Sequence, residues 1–80
     1  MKRRKPAYRA RLKAEAVWEL LNRLNLSQNE LARWVGIRSG YMSQLMSGQR
    51  FASPRVRQRL MDAQGVTDFD HLFTLEKVDE

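Results

Sequence analysis

The sequence predicts an all-α fold, a compact bundle of about five short helices. Three observations point to it. Apolar residues recur at i, i+3 and i+4 along most of the 80 residues, the pattern of helices with one inward face. β-Branched residues are few and never alternate with polar ones over a useful length, so no strand is expected. Gly and Pro stand only where helices should begin or end. The hydrophobic fraction of 42% allows a packed core, although a chain this short gains only modest stability from one.

The first helix is expected from about Ala7 to Leu24, with Pro6 at its start and Leu12, Ala16, Val17, Leu20, Leu21 and Leu24 on one face. The second opens on a capping box: Ser27 is the N-cap and Glu30 stands three residues on. Leu26 and Leu31 have the spacing of a hydrophobic staple around that cap. Leu31, Ala32 and Val35 face inward, and Gly36 stops the helix. A third, short helix is expected from Ser39 as cap to Gly48. Its inner stripe is Met42, Leu45 and Met46; its outer stripe is Gly40, Ser43, Gln44 and Ser47, small, polar and uncharged. The fourth has Ser53 as cap, Pro54 at its first position and Gly65 past its end. A last helix from Asp68 to Phe73, capped by Thr67, carries Phe69, Leu72 and Phe73. Residues 1–6 read as a basic flexible arm, 7–75 as one domain and 76–80 as an acidic, frayed tail.

Charge narrows the partner. The net charge is +6 and is unevenly spread: residues 1–14 hold seven Lys/Arg and no acid, whereas residues 65–80 hold one Lys against five acids. Such a balance favours a polyanion. There is no cysteine, so disulfides and thiolate metal sites are excluded and a reducing cytoplasm fits. No apolar run approaches the roughly 20 residues that span a bilayer, and no apolar stretch follows Met1–Lys5 to make a secretion signal. No metal is expected, because His71 stands without a second His or a Cys. The serines sit at caps and on an outer helix face, which gives no catalytic triad, and no glycine-rich phosphate loop is present. An enzyme, a cofactor and a small-molecule substrate are therefore not expected.

The second and third helices are joined by only Gly36-Ile37-Arg38-Ser39, with Ile37 placed to plug the corner. A short glycine-containing connection between two short helices fits the helix-turn-helix unit, here at 27–48; the alternative on geometry alone is an ordinary helical hairpin in a bundle. Leu26-Ser27-Gln28-Asn29-Glu30-Leu31-Ala32, Gly36-Ile37, Tyr41-Met42-Ser43-Gln44-Leu45 and Gly48-Gln49-Arg50, followed by Ser53-Pro54 and Gly65-Val66, resemble the Cro/phage-repressor (XRE-type) helix-turn-helix family. The resemblance runs from about Val17 to Leu75. It implies a repressor-like domain that binds duplex DNA in the major groove, as a transcriptional regulator or as an engineered binder on that scaffold. It also implies a cytoplasmic, nucleoid-associated protein of bacterial or phage origin. Base contacts are implied for Arg38, Ser39, Gly40, Ser43 and Gln44. Phosphate contacts are implied for Gln28, Ser47 and Arg50. By their own chemistry Tyr41, through its hydroxyl, and Arg55, close to a helix start, are further phosphate candidates, as are Lys2, Arg3, Arg4 and Lys5 by the charge of the arm. Family members often dimerise through the last helix, which here offers Phe69, Leu72, Phe73 and Leu75. The chain departs from the family at Met46, Gln64 and Trp34 and in its longer basic segment at 2–13. A second reading is an antitoxin-like module whose acidic tail, with Phe69 and Phe73, engages a protein partner. A third is non-specific nucleic-acid coating by the basic arm.

Overall fold

The computed structural model describes residues 7–78. The arm at 1–6, with Lys2, Arg3, Arg4 and Lys5, and residues 79–80 of the tail lie outside them. The order is β1 (Ala7–Leu12), α1 (Ala14–Leu24), α2 (Gln28–Val35), α3 (Ser39–Ser47), α4 (Pro54–Ala63), α5 (Phe69–Leu72) and β2 (Phe73–Val78). Among the described residues there are five helices, as expected, but the fold is not all-α. β1 and β2 form a two-stranded antiparallel sheet in which Ala7 faces Val78 and Leu12 faces Phe73.

This corrects three expectations. Ala7–Leu12 is a strand, so the first helix begins at Ala14. Phe73 leaves α5 for the sheet. Glu76, Lys77 and Val78 are the end of β2, not a frayed tail. The reason is visible in the side chains. Ala10 and Leu12 on β1 and Phe73 on β2 are all buried in the core, and each strand alternates about the sheet plane. Ala, Arg and Leu are good helix formers, but that preference is weak beside the burial of an apolar face in the core.

Lys13 locks the sheet to the helices. As N-cap of α1 it donates its backbone N–H to the Leu72 carbonyl at 2.7 Å, and its ammonium donates to the Asp70 carbonyl at 2.7 Å. Both strands are thus fastened to the helices at one place. Around it the core is a single cluster: Val17 and Leu21 from α1, Leu31, Ala32 and Val35 from α2, Met42 and Leu45 from α3, Leu60 and Met61 from α4, and Leu72 from α5. Phe69 stacks on Phe73 with ring centroids 5.1 Å apart. Leu24 is exposed rather than inward, because α1 ends there and Asn25 turns the chain through a left-handed φ of 58°. The last helix is capped by Asp68, whose carboxylate accepts from the Asp70 N–H, and not by Thr67.

Phe73→Ala should cost about 3–5 kcal/mol, a large share of the stability of a small domain. Leu75→Ala, on the same strand but 51% exposed, should stay within about 0.5 kcal/mol of wild type. Urea unfolding followed by circular dichroism checks both; equal losses would show that the sheet does not close the core.

Candidate nucleic-acid interface

The site is built on α2 and α3, and local sequence sets both. Ser27 Oγ accepts from the Glu30 N–H at 3.1 Å, while the Ser27 N–H donates to Glu30 Oε1 at 2.9 Å. This reciprocal pair satisfies two of the donors that a helix start leaves open. It also holds the Glu30 carboxyl below its ordinary value of 4.5, through the Ser27 backbone and hydroxyl first and Arg33 last, against a small opposing effect of burial. Gly36 ends α2 with φ +82°, where a side chain would be strained. Ile37 then tucks against the core, as its place in the turn suggests.

α3 starts one residue earlier than expected. Arg38 is the N-cap, without a side-chain cap bond, and Ser39 is the first helical residue. Met42 and Leu45 are fully buried and Met46 partly so. Arg38, Ser39, Gly40, Ser43 and Ser47 are exposed, and Gln44 is half-buried. The expected outer stripe of α3 is therefore a surface, and it carries no charge along Ser39–Ser47.

Gln28, the first residue of α2, donates from Nε2 to Ser43 Oγ at 3.2 Å. That bond ties the positive end of the α2 dipole to the middle of the outer face of α3. Of the residues expected to act, Gln28 and Ser43 are thus in direct contact. Arg50 is brought back to the start of α3: its guanidinium carbon lies 5.6 Å from the Tyr41 ring centroid. The end of α3 is closed by the Gln49 and Arg50 N–H groups and the Ser47 hydroxyl, which all donate to the Gln44 carbonyl. Arg55 is exposed in the first turn of α4, after the Ser53 cap, whose Oγ accepts from the Val56 N–H at 3.3 Å.

Two further arginines stand beside this loop and were not expected there. Arg9 and Arg11 on β1 lie over the Phe51 ring, at 4.3 and 5.2 Å. The assignment of Ala7–Leu12 to a helix hid them. The signal was in the sequence: Tyr8, Ala10 and Leu12 alternate with Arg9 and Arg11 at a period of two.

The surfaces offered for protein partners are less complete. Leu72 and Phe73 are buried and Phe69 is partly buried, so of the four residues expected at a dimer face only Leu75 is exposed. Phe69 and Phe73, expected to engage a partner in the antitoxin-like reading, stack on each other, with Phe73 buried and Phe69 partly exposed. Trp34 is 62% exposed on the outer side of α2. Among the described residues no helix is long and apolar enough to cross a membrane.

With this geometry established, comparison with known proteins is decisive on the family. A family model of the helix-turn-helix domain matches residues 7–72, most of the chain. The chain belongs to the helix-turn-helix domain family. Its fold is similar to the crystal structure of the transcriptional regulator VanUg, form II, with a TM-score of 0.66. That likeness covers 96% of this chain and all of the other at 17% sequence identity. No protein of curated function matches the chain.

The capping box gives a pH dependence. The Glu30 carboxyl is lowered on folding, so its contribution is complete above about pH 4.5 and is lost as pH falls through the lower folded value. Glu30→Gln should be less stable than wild type at pH 7, and the two stability curves should converge below pH 4.5. Urea midpoints measured across that range test it; a gap that stays constant with pH would mean that Glu30 does not act as a carboxylate cap.

Proposed function

We propose that this helix-turn-helix domain, residues 7–75, binds duplex DNA sequence-specifically by seating α3 in the major groove, and that it acts as a transcriptional regulator. The observation that carries the reading is the bond from Gln28 to Ser43. It joins a helix start suited to a phosphate to the centre of a small, uncharged helix face suited to base edges. An α-helix fits a major groove about 12 Å wide, and a face of Gly40, Ser43, Gln44 and Ser47 adds little bulk. The family match and the fold shared with a transcriptional regulator support the same reading.

In this reading Arg38, Ser39, Gly40, Ser43 and Gln44 approach the bases. Gly40, exposed and without a side chain, lets the backbone come close. Gln28, Tyr41, Ser47, Arg50 and Arg55 serve the backbone, with Arg50 steadied by the Tyr41 ring. Residues 2–5 supply four more positive charges. No chemistry is performed on the DNA. The domain regulates by occupying its site and excluding polymerase, which places it in the compartment that holds DNA.

The test begins with selection of a preferred site from random duplexes. Gln44 is neutral, so its value lies in a base edge; a bidentate contact to adenine gives about 1–3 kcal/mol of discrimination. Gln44→Ala should bind the selected site more weakly and hardly change affinity for a scrambled duplex. Arg50→Ala should weaken both and reduce the salt slope by about one. Equal weakening on both duplexes for Gln44→Ala would overturn the placement of the reading face.

Removing residues 2–5 should flatten the salt dependence, by about 0.9 for each phosphate no longer neutralised, and leave the preferred sequence unchanged. An unaltered slope would show that the arm does not touch DNA.

A further inference from the structure

The outer face of the sheet holds a group of charges that the fold does not require. Arg9 and Arg11 point to one side of β1, opposite the buried Ala10 and Leu12. On β2, Glu76 pairs with Arg9 in register and accepts from both guanidinium groups: Arg9 Nε at 2.9 Å to one carboxylate oxygen, Arg11 Nε at 2.8 Å to the other. The two hydrogen bonds hold the Glu76 carboxyl below its ordinary value, that from Arg11 more than that from Arg9. All three side chains remain open to solvent, 44% for each arginine and 29% for the glutamate. One carboxylate against two arginines leaves a net positive charge, and each arginine has used only one of its five N–H donors on it.

The position of this pair matters more than its charge. Both guanidinium groups rest on Phe51, in the loop between α3 and α4. Arg11 also reaches the end of α3, where a Cβ added at Gly48 would lie 2.7 Å from its Nη1. Gly48 has φ +81°, so the backbone turn favours glycine there. The same loop carries Arg50, and Ser53 and Arg55 follow at the start of α4. Arginines from the first strand are thus fixed beside a loop that lies far along the chain from them.

We infer that Arg9 and Arg11 form a phosphate clamp that carries the DNA footprint beyond the helix-turn-helix onto the sheet, with Glu76 and Phe51 as positioning residues. This rests on the DNA-binding reading above. Glu76 engages only the two Nε atoms and so leaves the Nη donors free for a phosphate. Phe51 restrains both side chains before DNA arrives, which lowers the rotamer entropy given up on binding. The ligand chemistry is a run of backbone phosphates, read for position and not for sequence.

The test compares salt slopes on the selected duplex between about 50 and 200 mM salt. Arg9→Gln/Arg11→Gln should be shallower than wild type by about 1–2, since each phosphate neutralised adds about 0.9 to the slope. The control removes the same charge elsewhere, as Arg23→Gln/Arg33→Gln from the last turns of α1 and α2; its slope should stay at the wild-type value. Equal slopes for the two double variants would overturn the clamp and leave the DNA-binding reading standing. A wild-type protein without salt-dependent duplex binding would overturn both. A second measurement leaves the arginines intact. The chain has no cysteine, and Thr74 is exposed opposite Arg11. Thr74→Cys carrying an iron chelate should cut the duplex backbone at the edge of the site. Absence of cutting while the labelled protein is bound would overturn the clamp, even if the double arginine variant fails to fold.

Discussion

The pairing of β1 with β2 is the constraint on which the rest of the domain depends. It joins the two ends of the described chain, Ala7 to Val78, and closing so long a loop has an entropic cost. The burial of Ala10, Leu12 and Phe73 offsets that cost, and Lys13 adds two hydrogen bonds from the sheet to α5. Without the closure α1 would lose its fixed start, and the first and last elements would each leave an apolar face in water. The helices that carry the interface are packed on a core whose base is this sheet.

On that base the interface is organised by a few directional bonds. The capping box sets where α2 begins, so Gln28 occupies the first turn and not the second. The bond from Gln28 to Ser43 then fixes the start of α2 against the outer face of α3. At the other end of α3, the Gln44 carbonyl gathers donors from Ser47, Gln49 and Arg50, which turns the chain sharply and returns Arg50 toward Tyr41. The neutral helix face is bordered by arginines whose positions follow from caps and stacking on aromatic rings. Such a surface has neutral hydrogen-bonding groups at its centre and positive charge at its rim.

Division of labour between the two faces of the sheet follows from the same geometry. A strand with period two turns Ala10 and Leu12 inward and Arg9 and Arg11 outward. The inward face stabilises the fold, and the outward face is free for charge. Glu76, half-buried, offsets the repulsion between two neighbouring guanidinium groups. An exposed ion pair of this kind adds little to stability by itself, so its value lies in orientation.

The sequence by itself determined the elements whose signals are local. Ser27 with Glu30, Ser53 with Pro54, and Gly36, Gly48 and Gly65 mark helix ends through hydrogen bonds and backbone angles made within a few residues. The inner stripe of α3 follows from spacing alone. That is why α2, α3 and α4, membership of the helix-turn-helix family and the outer face of α3 were legible in the chain. Only the tertiary structure decided what happens at the two ends. Ala7–Leu12 has residues that favour a helix in isolation, and its alternation is too short to overrule them; the partner that makes it a strand, Phe73–Val78, lies at the opposite end of the domain sequence. Likewise Leu72 and Phe73 read as a surface for a second molecule until the domain's own core takes them in. Arg9 and Arg11 meet Phe51 and Gly48 only because the sheet brings the start of the chain to the end of α3. Local sequence fixes hydrogen bonds between neighbours, whereas the burial of an apolar face depends on which distant segment covers it.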